Sequence, residues 1–95
     1  MHIITKKRLE EFAQIHPDCR SALEGWYQIV KHNHFPSFID LRRYFPSADK
    51  VGKLIVFNIR GNKARLIAAI HFNRDKLYIR HVLTHEEYNR NTWKE

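Results

Sequence analysis

Cysteine is nearly absent from this chain: Cys19 is the only one among 95 residues. That excludes an intramolecular disulfide and a cysteine-rich zinc site, and it suits a reducing cytoplasm. Glycine is equally scarce, with three in all. A GxSxG elbow, a Walker loop and a glycine-rich dinucleotide fingerprint are all missing, so phosphate-cradling loops are not expected. Long apolar runs are missing too. None approaches the ~20 residues of a membrane-spanning helix. The start, MHIITKKRLEEF, lacks the apolar stretch of a signal peptide. The expectation is a soluble cytoplasmic protein that does not engage a membrane.

Acid is the other shortage, and it is local. Residues 1–49 carry 7 basic and 6 acidic side chains, a balance of +1, whereas residues 50–95 carry 10 basic and 4 acidic, a balance of +6. Solubility needs net charge but not this asymmetry. A basic half on a small domain is the footprint of a polyanionic partner, most often nucleic acid.

What is present in quantity is apolar and aromatic bulk, at 43% and 13% of residues. This is enough for one modest core, and the length allows a single domain over 1–95. HIIT (2–5) is β-rich, and Thr5 is placed to cap a following helix with Leu9, Phe12 and Ala13 on one face. After Pro17-Asp18, helical spacing joins Cys19, Ala22, Leu23, Trp26 and Val30. SFIDLRRYFP reads as a short helix, with Ser37 and Asp40 as a capping-box variant and Pro46 as its stop.

Beyond Pro46 the period changes from helical to alternating. Residues 54–60, 63–72 and 76–83 predict three antiparallel strands, joined by turns at 61–62 and 73–75. Alternation assigns Ile55, Phe57, Ile59, Leu66, Ala68, Ile70, Phe72, Leu77, Ile79 and Leu83 to the face against the helices, with His81 sharing their parity. The opposite face takes Val56, Asn58, Arg60, Lys63, Arg65, Ile67, Tyr78, Arg80 and Val82. It is expected to be wet, basic and free of acids, an arrangement unfavourable unless something anionic lies over it. Helices segregated from antiparallel strands define an α+β class.

Seven histidines invite a metal reading. His32 with His34, and His81 with His85, have usable spacings, but no third ligand is evident and no metal is expected. Cys19 belongs to an apolar helix face and reads as an inert core thiol. Tyr88 follows His85 at helical spacing, and Trp93 lies near the terminus. Aromatics beside Arg and Lys suit stacking on unpaired bases, or they close the end of the core.

The segments FPSAD, VFNIRGNKARLI and THEEY, with the start MHIITKKRLEEF and the HPD…W helix, resemble the HigB toxin family of bacterial type II toxin–antitoxin systems. That family lies within the RelE-like superfamily, and the resemblance covers nearly the whole chain. It implies a small, mainly antiparallel sheet carrying helices on one face and a short C-terminal helix. It also implies a ribosome-dependent mRNA endonuclease that works in the A site of the 70S ribosome without a metal or other cofactor. The RNA's own 2′-OH would attack the adjacent phosphate. The partner implied is a HigA-like antitoxin with a helix-turn-helix domain.

Such chemistry needs a proton acceptor, a cation for the phosphorane and a proton for the leaving oxygen. By the resemblance, Arg65 and Arg80 serve the phosphate. His85 and Tyr88 are the proton-transfer candidates, their roles open between them, and Tyr88 is also a candidate for base stacking. Lys50, Lys53, Asn58, Arg60, Lys63, Arg74 and Trp93 are the expected RNA and ribosome contacts. The alternative is a basic module that blocks the ribosome without cutting.

Overall fold

A computed structural model of the chain describes residues 1–94. Helix α1 (Lys7–Ile15) buries Leu9, Phe12 and Ala13, as their spacing predicts. A 3-10 turn at Pro17–Cys19 reorients the chain into α2 (Arg20–Lys31), which buries Leu23, Trp26 and Val30. Helix α3 (Phe38–Tyr44) starts as expected: Asp40 N–H donates to Ser37 Oγ and Ser37 Oγ–H to Asp40 Oδ2. Thr5 departs from expectation. It sits at φ +75° and offers no side-chain cap; only its carbonyl accepts, from Arg8 N–H at 3.1 Å.

Five strands form one sheet: β1 (His2–Ile4), β2 (Asp49–Val51), β3 (Leu54–Ile59), β4 (Ala64–His71) and β5 (Lys76–Thr84). Their order is β1-β5-β4-β3-β2, with β1 parallel to β5 and the other pairs antiparallel. Strand β2 is an addition to the expected meander; DKV is too short and polar to announce itself. The β3–β4 connection spans Arg60 to Lys63, longer than the expected two residues, with Arg60 at φ +50° and Gly61 at φ +63°. Helix α4 (His85–Asn89) follows β5 directly behind a capping box. Glu87 N–H donates to Thr84 Oγ1 at 3.1 Å, and Thr84 N–H to Glu87 Oε1 at 2.9 Å.

The helices cover one face, where Ile55, Phe57, Ile59, Leu66, Ala68, Leu77 and Ile79 join Trp26, Phe35 and Leu41 in the main core. Each Ile, Leu or Phe among them contributes about 1.5–3 kcal/mol of burial. On β5 the expected alternation fails halfway. Ile67 pairs with His81 while its neighbour Ala68 pairs with Ile79, so the register shifts by one residue at Arg80, a β-bulge. One extra residue flips all parity beyond it. His81, opposite Ile67, and Leu83, opposite Arg65, therefore lie on the outer face, and Val82, opposite Leu66, lies inside. The expected positions of these three residues are reversed.

The outer face is also less wet than expected. Leu54, Val56 and Ile67 are buried there beneath Trp93, with Val51, Ala69, Leu83 and Tyr88 around them. This second, smaller core is made by the chain folding back from α4 across the sheet.

Candidate functional site

Arg65 stands on β4 between Asn58 of β3 and Leu83 of β5. It is only 8% exposed. A cation so buried ordinarily has a carboxylate beside it. Here the partners are neutral: one terminal nitrogen donates to Ala64 O at 3.1 Å and the other to Asn62 Oδ1 at 3.1 Å. The guanidinium carbon lies 5.3 Å from the centre of the Tyr88 ring, within cation–π range. None of the ion pairs among the described residues involves Arg65.

Tyr88 reaches Arg65 because the capping box fixes the start of α4 immediately after β5. From the other side Trp93 stacks on Tyr88, with ring centres 5.0 Å apart and planes 14° from parallel. Trp93 Nε1–H donates to Tyr88 O at 2.8 Å. Trp93 is 3% exposed and part of the outer core, so its ring is engaged in packing rather than offered to a base. Glu87, the capping-box acid, has its pKa held below the ordinary carboxylate value, first by the Thr84 backbone N–H it accepts. Glu86 and Glu87 occupy the first turn of α4, where the helix dipole favours acids.

Arg80 projects from the bulge into a groove of about 480 Å³ shared with Lys50, Lys53, Ala69 and His71. Bulges commonly occur beside functional sites, where they change the direction of a strand's side chains. Along β4, Arg65 and the site of the bulge are two to three residues apart, about 7–10 Å by strand rise. A second groove, of about 500 Å³, is lined by Arg60, Asn62, Lys63, Thr84, His85 and Glu86. His85 is exposed there, and its backbone N–H donates to Lys63 O at 3.1 Å. The structure thus joins Arg65 to Tyr88, places Arg80 with Lys50 and Lys53, and sets His85 with Lys63 in the neighbouring groove.

Two expectations about charge need correction. Arg60 does not belong to an acid-free face: its guanidinium lies 2.6 Å from Asp18 Oδ2, on the turn that precedes α2. The outer face does carry one acid. Asp49 pairs with Val56 at the β2 edge, and its Oδ1 accepts from Lys50 N–H at 2.9 Å. Arg74 ends the 3-10 turn before β5, about 25 Å by strand rise from the end that carries His85. It is too far to share a phosphate with His85. Cys19 is buried, and its thiol pKa is raised, chiefly by that burial. Among the described residues no three His, Cys, Asp or Glu side chains converge to hold a metal ion.

Sequence reasoning passed over Asn62 as a site residue, although it supplies the side-chain acceptor for Arg65. The available signal was its place in a tight turn three residues before a basic strand position.

Helices on one face of a small, mainly antiparallel sheet, with a short C-terminal helix, are consistent with a RelE-like fold. The HigB_toxin family, the RelE-like toxic component of a toxin–antitoxin system, matches residues 19–91, and the chain belongs to it. The mRNA interferase toxin HigB of Escherichia coli K12 is 36% identical over 92 residues, spanning 94% of this chain and 88% of that protein. The mRNA interferase HigB of Shigella flexneri is 36% identical over 92 residues, with the same coverage. The mRNA interferase HigB of Escherichia coli O6:H1 is 34% identical over 95 residues, spanning 97% and 92%. Membership of a toxin–antitoxin family implies an antitoxin partner. Among the described residues no helix is long and apolar enough to cross a membrane.

Proposed function

We propose that this chain is a ribosome-dependent mRNA endonuclease, the translation-inhibiting toxin of a type II pair. The observation that carries the reading is Arg65: a buried guanidinium held by two neutral acceptors keeps its charge for an incoming phosphate. In this reading the 2′-OH of one nucleotide loses its proton and its oxygen attacks the adjacent phosphorus. The bond from phosphorus to the 5′ oxygen breaks, and that oxygen takes up a proton. The products are a 2′,3′-cyclic phosphate and a 5′-OH end.

Arg65 and Arg80 stabilise the pentacoordinate anion; a guanidinium offers two parallel donors to phosphate oxygens. Tyr88, in contact with Arg65, is the proton-transfer group nearest the reacting phosphate, and His85 acts from the adjoining groove. Lys50, Lys53 and Lys63 bind the flanking RNA backbone in the ribosomal A site. The antitoxin is a HigA-like helix-turn-helix protein.

The test is expression in a sensitive bacterium with primer extension on its mRNA. Wild type should arrest growth and produce discrete new 5′ ends within codons, and Arg65→Ala and Arg80→Ala should abolish both. Arrest with stalled ribosomes but no new ends would replace cleavage by occlusion.

A further inference from the structure

We propose that Asn62 is a positioning residue of the same site: it holds the Arg65 guanidinium in place while leaving its charge uncancelled. This rests on the nuclease reading above. Two consecutive left-handed residues, Arg60 at φ +50° and Gly61 at φ +63°, turn the β3–β4 loop so that Asn62 comes back beside β4. Its Oδ1 then accepts from Arg65 at 3.1 Å. The other acceptor, Ala64 O, belongs to the neighbouring backbone and is present whatever the side chains are. Asn62 therefore supplies the side-chain hydrogen bond that, beside the Tyr88 ring, fixes where the guanidinium points.

The choice of an amide over a carboxylate is the informative feature. An aspartate is nearly the same shape and would form a stronger, charge-assisted bond to Arg65. It would compensate a charge that is otherwise buried without a counter-ion. It would also cancel the field that a phosphate is meant to meet. Stability of the free protein and affinity for an anion thus pull in opposite directions at this position, and Asn62 takes the side of the anion. A residue that merely braced the loop would show no such conflict.

The experiment compares wild type, Asn62→Asp and Asn62→Ala in three measurements. These are melting temperature, the rise in melting temperature on adding inorganic phosphate at ionic strength matched with chloride, and single-turnover cleavage on programmed ribosomes. Asn62→Asp should melt above wild type near neutral pH and lose the phosphate-dependent rise. Its maximal cleavage rate should fall by ~10²–10³-fold, the scale of losing a preorganised charge contact, with the half-saturating toxin concentration little changed.

Asn62→Ala should melt below wild type, keep part of the phosphate effect, and lose up to ~10²-fold in rate through misplacement of Arg65. Opposite signs for stability and rate in Asn62→Asp are the signature. If that variant cleaves as wild type does, or loses stability and rate together, the inference is overturned. Should Asn62→Asp fail to fold, Asn62→Ala decides: an unchanged maximal rate and phosphate effect overturns it. A wild type that responds to phosphate but never cuts mRNA defeats the nuclease reading alone, and the phosphate arm still judges Asn62. A wild type that gains nothing from phosphate overturns the inference outright.

Discussion

Trp93 has both its ring and its N–H committed, the first to Tyr88 at 5.0 Å and the second to Tyr88 O at 2.8 Å. Trp93→Phe keeps a ring over the outer core but removes one of two donors to Tyr88 O, leaving Asn91 N–H at 3.2 Å, so it should cost about 0.5–1.5 kcal/mol. Trp93→Ala removes the ring and should cost about 3–5 kcal/mol. At ~4–8 °C per kcal/mol for a domain of this size, thermal unfolding followed by circular dichroism resolves both. A ring exposed for RNA contact would leave the melting temperature unmoved. Asp75 supplies a second prediction at this scale. His34 Nδ1 lies 3.0 Å from its Oδ1, and that hydrogen bond, followed in effect by the Met1 ammonium at 3.8 Å, holds the Asp75 pKa below the ordinary aspartate value. A carboxyl depressed in the folded state stabilises above its unfolded pKa and loses that contribution as pH falls through the folded one. Asp75→Asn should melt below wild type above pH ~5, and the gap should close as pH falls through the lowered Asp75 pKa. Asn tolerates the left-handed backbone at this position, φ +56°, so the comparison isolates charge. A gap that stays constant across this range would remove the carboxylate from the account.

At the scale of elements, Arg80 and β5 show what one extra residue does. Because Ile67 and Ala68 pair with His81 and Ile79, deleting Arg80 should leave a regular strand with every remaining partner in place. The Arg80 deletion is therefore expected to unfold cooperatively, with retained backbone amide dispersion by NMR, yet to lose toxicity as Arg80→Ala does. A deletion that fails to fold would mean that the bulge shapes the sheet and not only the site. The same element marks where sequence reading stops. Helix spacing placed Leu9, Phe12, Leu23, Trp26 and Val30 in the core, and alternation placed Ile55 through Ile59 and Leu66 through Ile79, because local period and burial agree in those segments. Alternation cannot register an inserted residue, since a bulge is set by strand twist and partner register, so His81, Val82 and Leu83 were assigned to the wrong faces. Strand β2 and the return of Trp93 across the sheet depend on long-range pairing that three polar residues and a single aromatic do not encode. Arg65 and Tyr88 were legible as candidates; their contact, and the part played by Asn62, were not.

Over the whole molecule the charges are sorted by side. The Lys and Arg ion pairs among the described residues sit with the helices and the turn before α2: Lys6–Glu10 at 3.8 Å, Arg43–Asp40 at 3.9 Å and Arg60–Asp18 at 2.6 Å. Lys50, Lys53, Lys63 and Arg65 take part in none of them. The net charge of +7 is thus expressed mainly across the sheet, where cations that meet no carboxylate are available to a polyanion. If five side chains, Lys50, Lys53, Lys63, Arg65 and Arg80, each contact one phosphate of single-stranded RNA, log K should fall with log salt at a slope of about −3.5. Between 50 and 200 mM KCl the affinity should then drop about 10²-fold. Replacing Lys50, Lys53 and Lys63 together by Gln should reduce the magnitude of the slope by about 2, whereas replacing Arg42 and Arg43 on α3 should leave it unchanged. Fluorescence anisotropy of a labelled RNA oligonucleotide titrated with each protein over this salt range makes the comparison. Equal slopes for the two sets would place the RNA on no particular side and break the link between the sorted charge and the sheet, because net charge alone would then account for binding.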